Sequence, residues 1–431
     1  MCDAGASNAQ EACYQVVCIC GGTGFPHGAG DAPRIINVGK ALQAAGMQFR
    51  VLHCGPSPIA ANKNAAGVHE GIAYNYTTHT TKRPENRILR ALLYTWGLSI
   101  LAARLIALRS QRLHSSVYIN IHSGPIGVIA AALCHILGIP VVQEVNEWWP
   151  GTPGASRFTD WLYRGPMFSL ATGTLVISTL IERRVRATAQ RLKRPLIIHR
   201  TPILADINKF HLGEPAPACL KGDVPQFVWC GMFGVAGKIQ AINLKLTPTQ
   251  IQSYKDVDFM IRALAQVIQK GMKCQLTIVG DAREDVRRRV MKHAQTHGVA
   301  DAVVLTGFID DDQLDALYGS AAGLLLPLFD DDRSRTRMPT KLGGYLASGT
   351  PVITCDVGDL TLLLSHQHNA FIGPPGDEEV FAENMCAVLH DPVTARKIGD
   401  AGRQVCKTEI HYKVHSRRLA DFFTTCIRSA Q

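Results

Sequence analysis

Pro339-Thr340-Lys341 leads into a helix-forming patch that stops at Ser348-Gly349, and Pro351 then opens the apolar, β-branched run Val352-Ile353. That order predicts a helix over 341–347, a glycine stop and a buried strand. A hydroxyl (Thr340), an ammonium (Lys341) and the free N–H of residues such as Leu342 would then meet at one helix N-terminus. Such an end stabilises an anion, and a diphosphate suits it well. Lys255 reads as the start of a helix after the strand 227–230 and Gly231, where its ammonium could neutralise phosphate; a solvated surface lysine is the competing reading. Asp281 follows the strand 274–279 and Gly280, and it could either cap a helix or orient a nucleotide.

The first half of the chain offers polar groups at other strand ends. Gly21–Gly30 is glycine-rich and contains Gly24, His27 and Gly28, but it has neither a P-loop ending nor an intact G-x-G-x-x-G. It is a tight turn, or a backbone that a sugar or phosphate can approach closely. Asn146 and Glu147 lie beyond another strand end, before Trp148-Trp149-Pro150. Glu147 could accept a proton or bind sugar hydroxyls beside a stacking face; an interdomain acid among core aromatics is the alternative. His122 ends a further strand and is read as either structural or hydroxyl-binding. Asp310-Asp311-Asp312 reads as a helix cap, and Asp330-Asp331-Asp332 as a loop in preference to a cation site.

These residues need elements to hold them. Strand, helix and strand alternate twice, over 16–198 and again from 227, with a linker-like stretch at 205–226 between. The divisions read from this pattern are a tail at 1–15, a first Rossmann-like domain at 16–204, the linker 205–226, a second Rossmann-like domain at 227–405 and a terminal helix at 406–431. The expected fold class is α/β: two Rossmann-like, doubly wound parallel-sheet domains facing a cleft. At 431 residues, 46% hydrophobic and 19% charged, the chain can build two such cores. Residues 234–254, largely polar, read as an unusually long loop.

A net charge of +10 favours an anionic partner. Nucleic acid is the weakest choice, because the basic runs lack interleaved aromatic or zinc signatures. Thirteen scattered cysteines without a paired Cys-x-x-Cys predict reduced thiols and no metal site, hence a cytoplasmic protein. The segment 89–108 is apolar, but only 13 residues separate Arg90 from Arg104, short of the roughly 20 that span a bilayer. Seven basic residues against one acid, Glu85, lie between Lys82 and Arg112. The segment reads as a packed helix with solvated ends, or as an amphipathic surface touching the inner face of an anionic membrane.

The motifs together resemble the GT-B retaining glycosyltransferases of the family 4 type. Gly231, Lys255-Asp256-Val257-Asp258, Ile278-Val279-Gly280-Asp281, Gly307-Phe308, the segment 339–353 and Gly376-Asp377 fall in that family's order and approximate spacing. The loop with Phe25-Pro26-His27-Gly28 and the downstream Arg34 resemble its acceptor-side loop, and Gln143–Glu147 resembles its second strand-end site. The resemblance covers about residues 16–405. It implies an enzyme that moves a sugar from a nucleoside-diphosphate sugar to an acceptor hydroxyl with retention, in polysaccharide or glycolipid assembly, with no cofactor or metal. Glu147, Asn146 and His122 would serve catalysis, and Gly231, Lys255, Asp281, Thr340, Lys341, Leu342 and Gly344 the donor. The acceptor would be a glycan or a lipid-linked sugar. The family usually carries two acids eight positions apart, where this chain has Thr336 and Gly344, and an arginine where it has Met232. Those departures keep open a degenerate scaffold that binds a glycan, lipid or partner without turnover.

Overall fold

The computed structural model describes residues 14–430 apart from 22–23, 29, 58, 60, 112–113, 121–124, 151–156, 211–223, 232–247 and 281. Two mostly parallel sheets face each other, as the alternation of elements implies. The N-terminal sheet has eight strands in the order β3-β4-β2-β1-β5-β6-β7-β8. These are β1 (Tyr14–Cys20), β2 (Gln48–His53), β3 (Ala66–His69), β4 (Ile72–Tyr76), β5 (His114–Asn120), β6 (Val141–Val145), β7 (Gly173–Val176) and β8 (Ile197–Arg200). The second sheet has six, in the order β11-β10-β9-β12-β13-β14. They are β9 (Gln226–Cys230), β10 (Gln275–Val279), β11 (Val303–Gly307), β12 (Gly323–Leu326), β13 (Val352–Cys355) and β14 (Phe371–Gly373).

Central strands such as β1 and β12 are apolar along almost their whole length because helices cover both faces of each sheet. In both domains the strand order reverses beside the first strand, between β1 and β5 and between β9 and β12. Crevices at such reversals are where open α/β sheets bind ligands. The loop after β1 is Gly21–Gly30, and β9 ends at Gly231. The topology therefore brings two of the glycine-bearing loops to the two ligand positions of the fold.

The helix–stop–strand step appears as read: helix Lys341–Ser348, then Gly349 at φ +72°, then β13. The left-handed backbone at Gly349 explains the glycine, since a Cβ there is strained. One expectation needs correction, and two features go beyond the sequence reading. The hairpin β3–β4 was not foreseen; β4 pairs parallel with β2 and antiparallel with β3. The helix expected to start at Lys255 begins at Pro248, so the last residues of the supposed loop 234–254 are helical. Proline's fixed φ suits a first helical turn, a start signal passed over in the sequence. Lys255 consequently lies inside the helix Pro248–Gln269 and has no helix-end amides beside it. Finally, the helix Tyr412–Arg428 returns to the N-terminal domain, where Leu419, Phe423 and Cys426 join the core under β1.

Candidate functional site

The residues expected to bind a donor gather at the C-terminal end of β9. Lys341, first residue of its helix, places its ammonium 4.1 Å from the centroid of the buried Trp229 ring. A Cβ on Gly231 would stand 3.2 Å from that ammonium and 2.7 Å from the Trp229 ring, so glycine is the residue that leaves this strand end clear. Tyr345, one turn on, accepts the Cys230 backbone N–H at 3.0 Å and ties the helix to the strand. Burial pushes the Lys341 pKa down to about 8; Asp256 and Cys230 oppose the shift and Arg337 adds to it.

Arg333, Arg337 and Lys341, spaced by four, converge here, and the two arginines escaped the sequence reading. Arg333 donates to Glu147 Oε1 at 3.2 Å, across the cleft, and its guanidinium lies 5.6 Å from the Trp149 centroid. Arg337 has its pKa lowered by burial and by Arg333, while Glu147 and Asp256 oppose that shift. Its Nε is buried and without a hydrogen-bond partner among the described residues. Two arginines and a lysine so placed can hold an anion. The four-residue rhythm of cations was the available signal, obscured by the break between the helix Asp332–Thr336 and the one that follows it.

Of the other donor-side candidates, Thr340 makes no side-chain cap bond, and its Oγ1 lies 2.6 Å from where a Cβ on Gly30 would stand. The N-terminal loop and the start of the helix Lys341–Ser348 therefore touch. Leu342 has its side chain in the core and its N–H engaged by Pro339 O at 3.0 Å, so it offers a ligand neither group. Lys255 is exposed, with its ammonium 5.9 Å from the Phe329 centroid; its buried neighbour Asp256 faces Lys341. Gly344 faces Phe210 and Tyr318, and a Cβ there would be 3.5 Å from each, an ordinary contact. Thr336 is fully buried, returning its hydroxyl to Asp332 O and Arg333 O while its own carbonyl accepts from Ser178. Asp281 lies outside the described residues.

Among the residues expected on an acceptor side, Gly24 has φ +90°, and a Cβ would meet Asn62 Nδ2 and Ser57 Oγ at 2.9 Å. Asn62 also clamps His27, accepting its N–H at 2.9 Å and donating to its carbonyl at 2.7 Å. His27 Nδ1 comes within 4.0 Å of Asp311 of the opposite domain, and Gly28 follows half-buried. Arg34 is placed differently from expectation. Its side chain is buried and pairs with Glu144 at 2.7 Å, while Thr201 O accepts at 3.1 Å and Pro202 O also accepts. It braces the domain beneath the cleft and presents nothing to it. Asn146 is buried with Oδ1 unpartnered among the described residues, and Glu147 reaches across to Arg333. His122 lies outside the described residues. The two aspartate triplets are occupied: Asp310 caps the Gln313 N–H, Asp331 caps Ser334, Asp332 pairs with Arg184 and Asp330 with Arg335.

Residues 246–391 match the family model for glycosyl transferases group 1. An uncharacterized glycosyltransferase of Methanocaldococcus jannaschii is 27% identical over 137 residues, 32% of this chain and 33% of that protein. Matches to the first curated relatives span 33, 39 and 41% of their lengths. The fold is similar to sucrose-phosphate synthase from Thermosynechococcus elongatus, with TM-score 0.67 and 18% identity, covering 96% of this chain and 100% of that one. It is also similar to Anabaena HepE solved with UDP and glucose, with TM-score 0.68 and 13% identity over 95% of this chain and 99% of the other.

Proposed function

We propose that the chain is a GT-B glycosyltransferase that moves a sugar from a nucleoside-diphosphate sugar to an acceptor hydroxyl with retention, a reading supported by its fold and by the group 1 match over residues 246–391. The observation that carries this reading is the convergence of Lys341, Arg337 and the clear strand end Gly231 at the reversal point of the second sheet. The solved HepE structures hold UDP, glucose or UDP-glucose, which favours a diphosphate bound in this crevice. Departure of the diphosphate concentrates negative charge on its oxygens, and preformed cations lower the cost of that charge without reorganising. Lys341 and Arg337 supply them here, with no metal and no cofactor in the proposed scheme. Arg337 takes the role of the arginine that this chain lacks at Met232. Across the cleft, Glu147 and Asn146 are placed to hold acceptor hydroxyls, with Glu147 oriented by Arg333. The assembly served is a polysaccharide or glycolipid. All ten cysteines among the described residues are unpaired and nine are buried, which suits the reducing cytoplasm.

Calorimetric titration with UDP tests the reading. Lys341→Ala and Arg337→Ala should each weaken binding by roughly 10- to 100-fold, the loss of one charge-assisted contact to phosphate. Unchanged affinity in both variants would remove the proposal.

A further inference from the structure

The helix Arg87–Ser110 turns an uncharged face to solvent. Ile88, Leu92, Trp96 and Ile106 are 72, 62, 53 and 57% exposed. With Ser99 and Ala103 they fall on one stripe at helical spacing, where a globular protein in water places charge. The stripe's hydroxyls do not relieve this. Thr95 Oγ1 donates to Ala91 O at 3.1 Å, and Ser99 Oγ to Thr95 O at 3.1 Å. Hydroxyls folded back onto their own helix offer little to water and suit an apolar medium. The opposite side, with Leu101, Leu105 and Leu108, is buried against the sheet residues Val17, Leu52 and Ile119. A helix packed so along one side cannot cross a bilayer while the domain is folded; it can only lie on one. Lys82, Arg83, Arg87 and Arg90 surround its N-terminal end with only Glu85 to oppose them, and Arg109 marks its far end.

We infer that this face is a docking surface for an anionic lipid bilayer, the stripe entering the headgroup boundary while the flanking cations bind lipid phosphate. An apolar stripe edged by Arg and Lys is the composition that holds a helix in the interface plane. A second copy of the chain is disfavoured, since pairing this face with itself sets one basic fringe against another on molecules of net charge +10. The surface also adjoins the cleft. Tyr94 packs so closely on Gly55 that a Cβ there would be 2.3 Å from its ring. Gly55 opens the loop whose Ser57 bonds Asn62, the residue that clamps His27. Resting on the transfer reading above, the acceptor is then a hydroxyl carried by a membrane-embedded lipid.

The test is flotation of the full chain with vesicles of phosphatidylcholine alone and of phosphatidylcholine with phosphatidylglycerol, nucleotide absent. The wild type should float with the anionic vesicles, and Leu92→Glu/Trp96→Glu should lower the bound fraction by roughly tenfold. Both positions are exposed, and an unchanged circular-dichroism melt shows the fold intact. UDP titration of the same variant should match wild type, so loss of donor binding alone strikes the transfer reading and leaves the membrane surface standing. Absence of flotation, equal flotation of the variant, or wild-type dimers in sedimentation velocity that the variant abolishes would each overturn the inference.

Discussion

At the scale of single residues, the site is defined by what it costs to keep cations there before a ligand arrives. Lys341 sets its ammonium over the Trp229 ring, and burial lowers its pKa to about 8 where a free lysine lies near 10.5. The charged form is the one penalised in the folded protein, so the residue trades stability for a poised ammonium. The sign for ligand binding follows directly. Below about pH 8 the ammonium is present, and it is lost as pH rises through that value. UDP affinity should therefore fall between pH 7 and 9, by up to about tenfold per unit above the pKa. Lys341→Arg keeps its charge over that range, and calorimetry across it should give a flatter profile. A wild-type affinity independent of pH would show that the ammonium does not meet the diphosphate.

At the scale of elements, the helix Lys341–Ser348 is short, and its first turn decides what it can bind. Gly344 stands in that turn, where an acid benefits from the helix N-terminus. A glycine within a helix costs roughly 0.5–1 kcal/mol relative to alanine, and a Cβ here would meet Phe210 and Tyr318 at 3.5 Å, an ordinary contact. Gly344→Glu should therefore fold with an unchanged or slightly higher melting temperature. If an acid at this position holds the ribose of a nucleotide donor, this variant should bind UDP more tightly while binding inorganic pyrophosphate as before. A lower melting temperature would show that the pocket wall cannot accept the side chain. Tighter binding joined to transfer seen only in the variant would mark the natural chain as a binding scaffold.

At the scale of the whole molecule, the domains are locked by polar contacts across the cleft and near the hinge. Asp359 accepts from the Thr179 N–H at 2.7 Å and from its hydroxyl at 2.9 Å. Lys40 bridges Glu70 at 2.6 Å and Asp206 at 2.8 Å, joining the N-terminal domain to the hinge segment. Asp315, from the second domain, faces this cluster, and burial raises its pKa to about 7, assisted by Asp311, Asp312 and Glu70 and opposed by Lys209. A carboxyl whose folded pKa is raised takes up protons on folding between about pH 4 and 7. Stability from this group is present below that window, lost as pH rises through it, and level above. Asp315→Asn should raise stability at pH 8 by about 1 kcal/mol and leave it unchanged at pH 4. Thermal melts at both values check this, and an equal effect at the two would refute it.

Local chemistry was enough to read much of this protein. The step 339–353, the strand cores and the two domains follow from residue types at short spacing, because glycine stops, β-branched runs and helix starts act over a few residues. The cation at Lys341 and the clear strand end at Gly231 were legible for the same reason. Which polar side chain faces which domain was decided only by the tertiary structure. Arg34 and Glu144 stand 110 residues apart in sequence and neutralise each other in the core, whereas Arg337, in an unremarked segment, comes near Lys341 with a buried Nε that has no hydrogen-bond partner among the described residues. The apolar composition of 87–110 was plain, yet the sheet had to choose which of its faces to cover. Charge pairing and burial depend on distances that chain separation does not determine, so they appear only once both domains have closed.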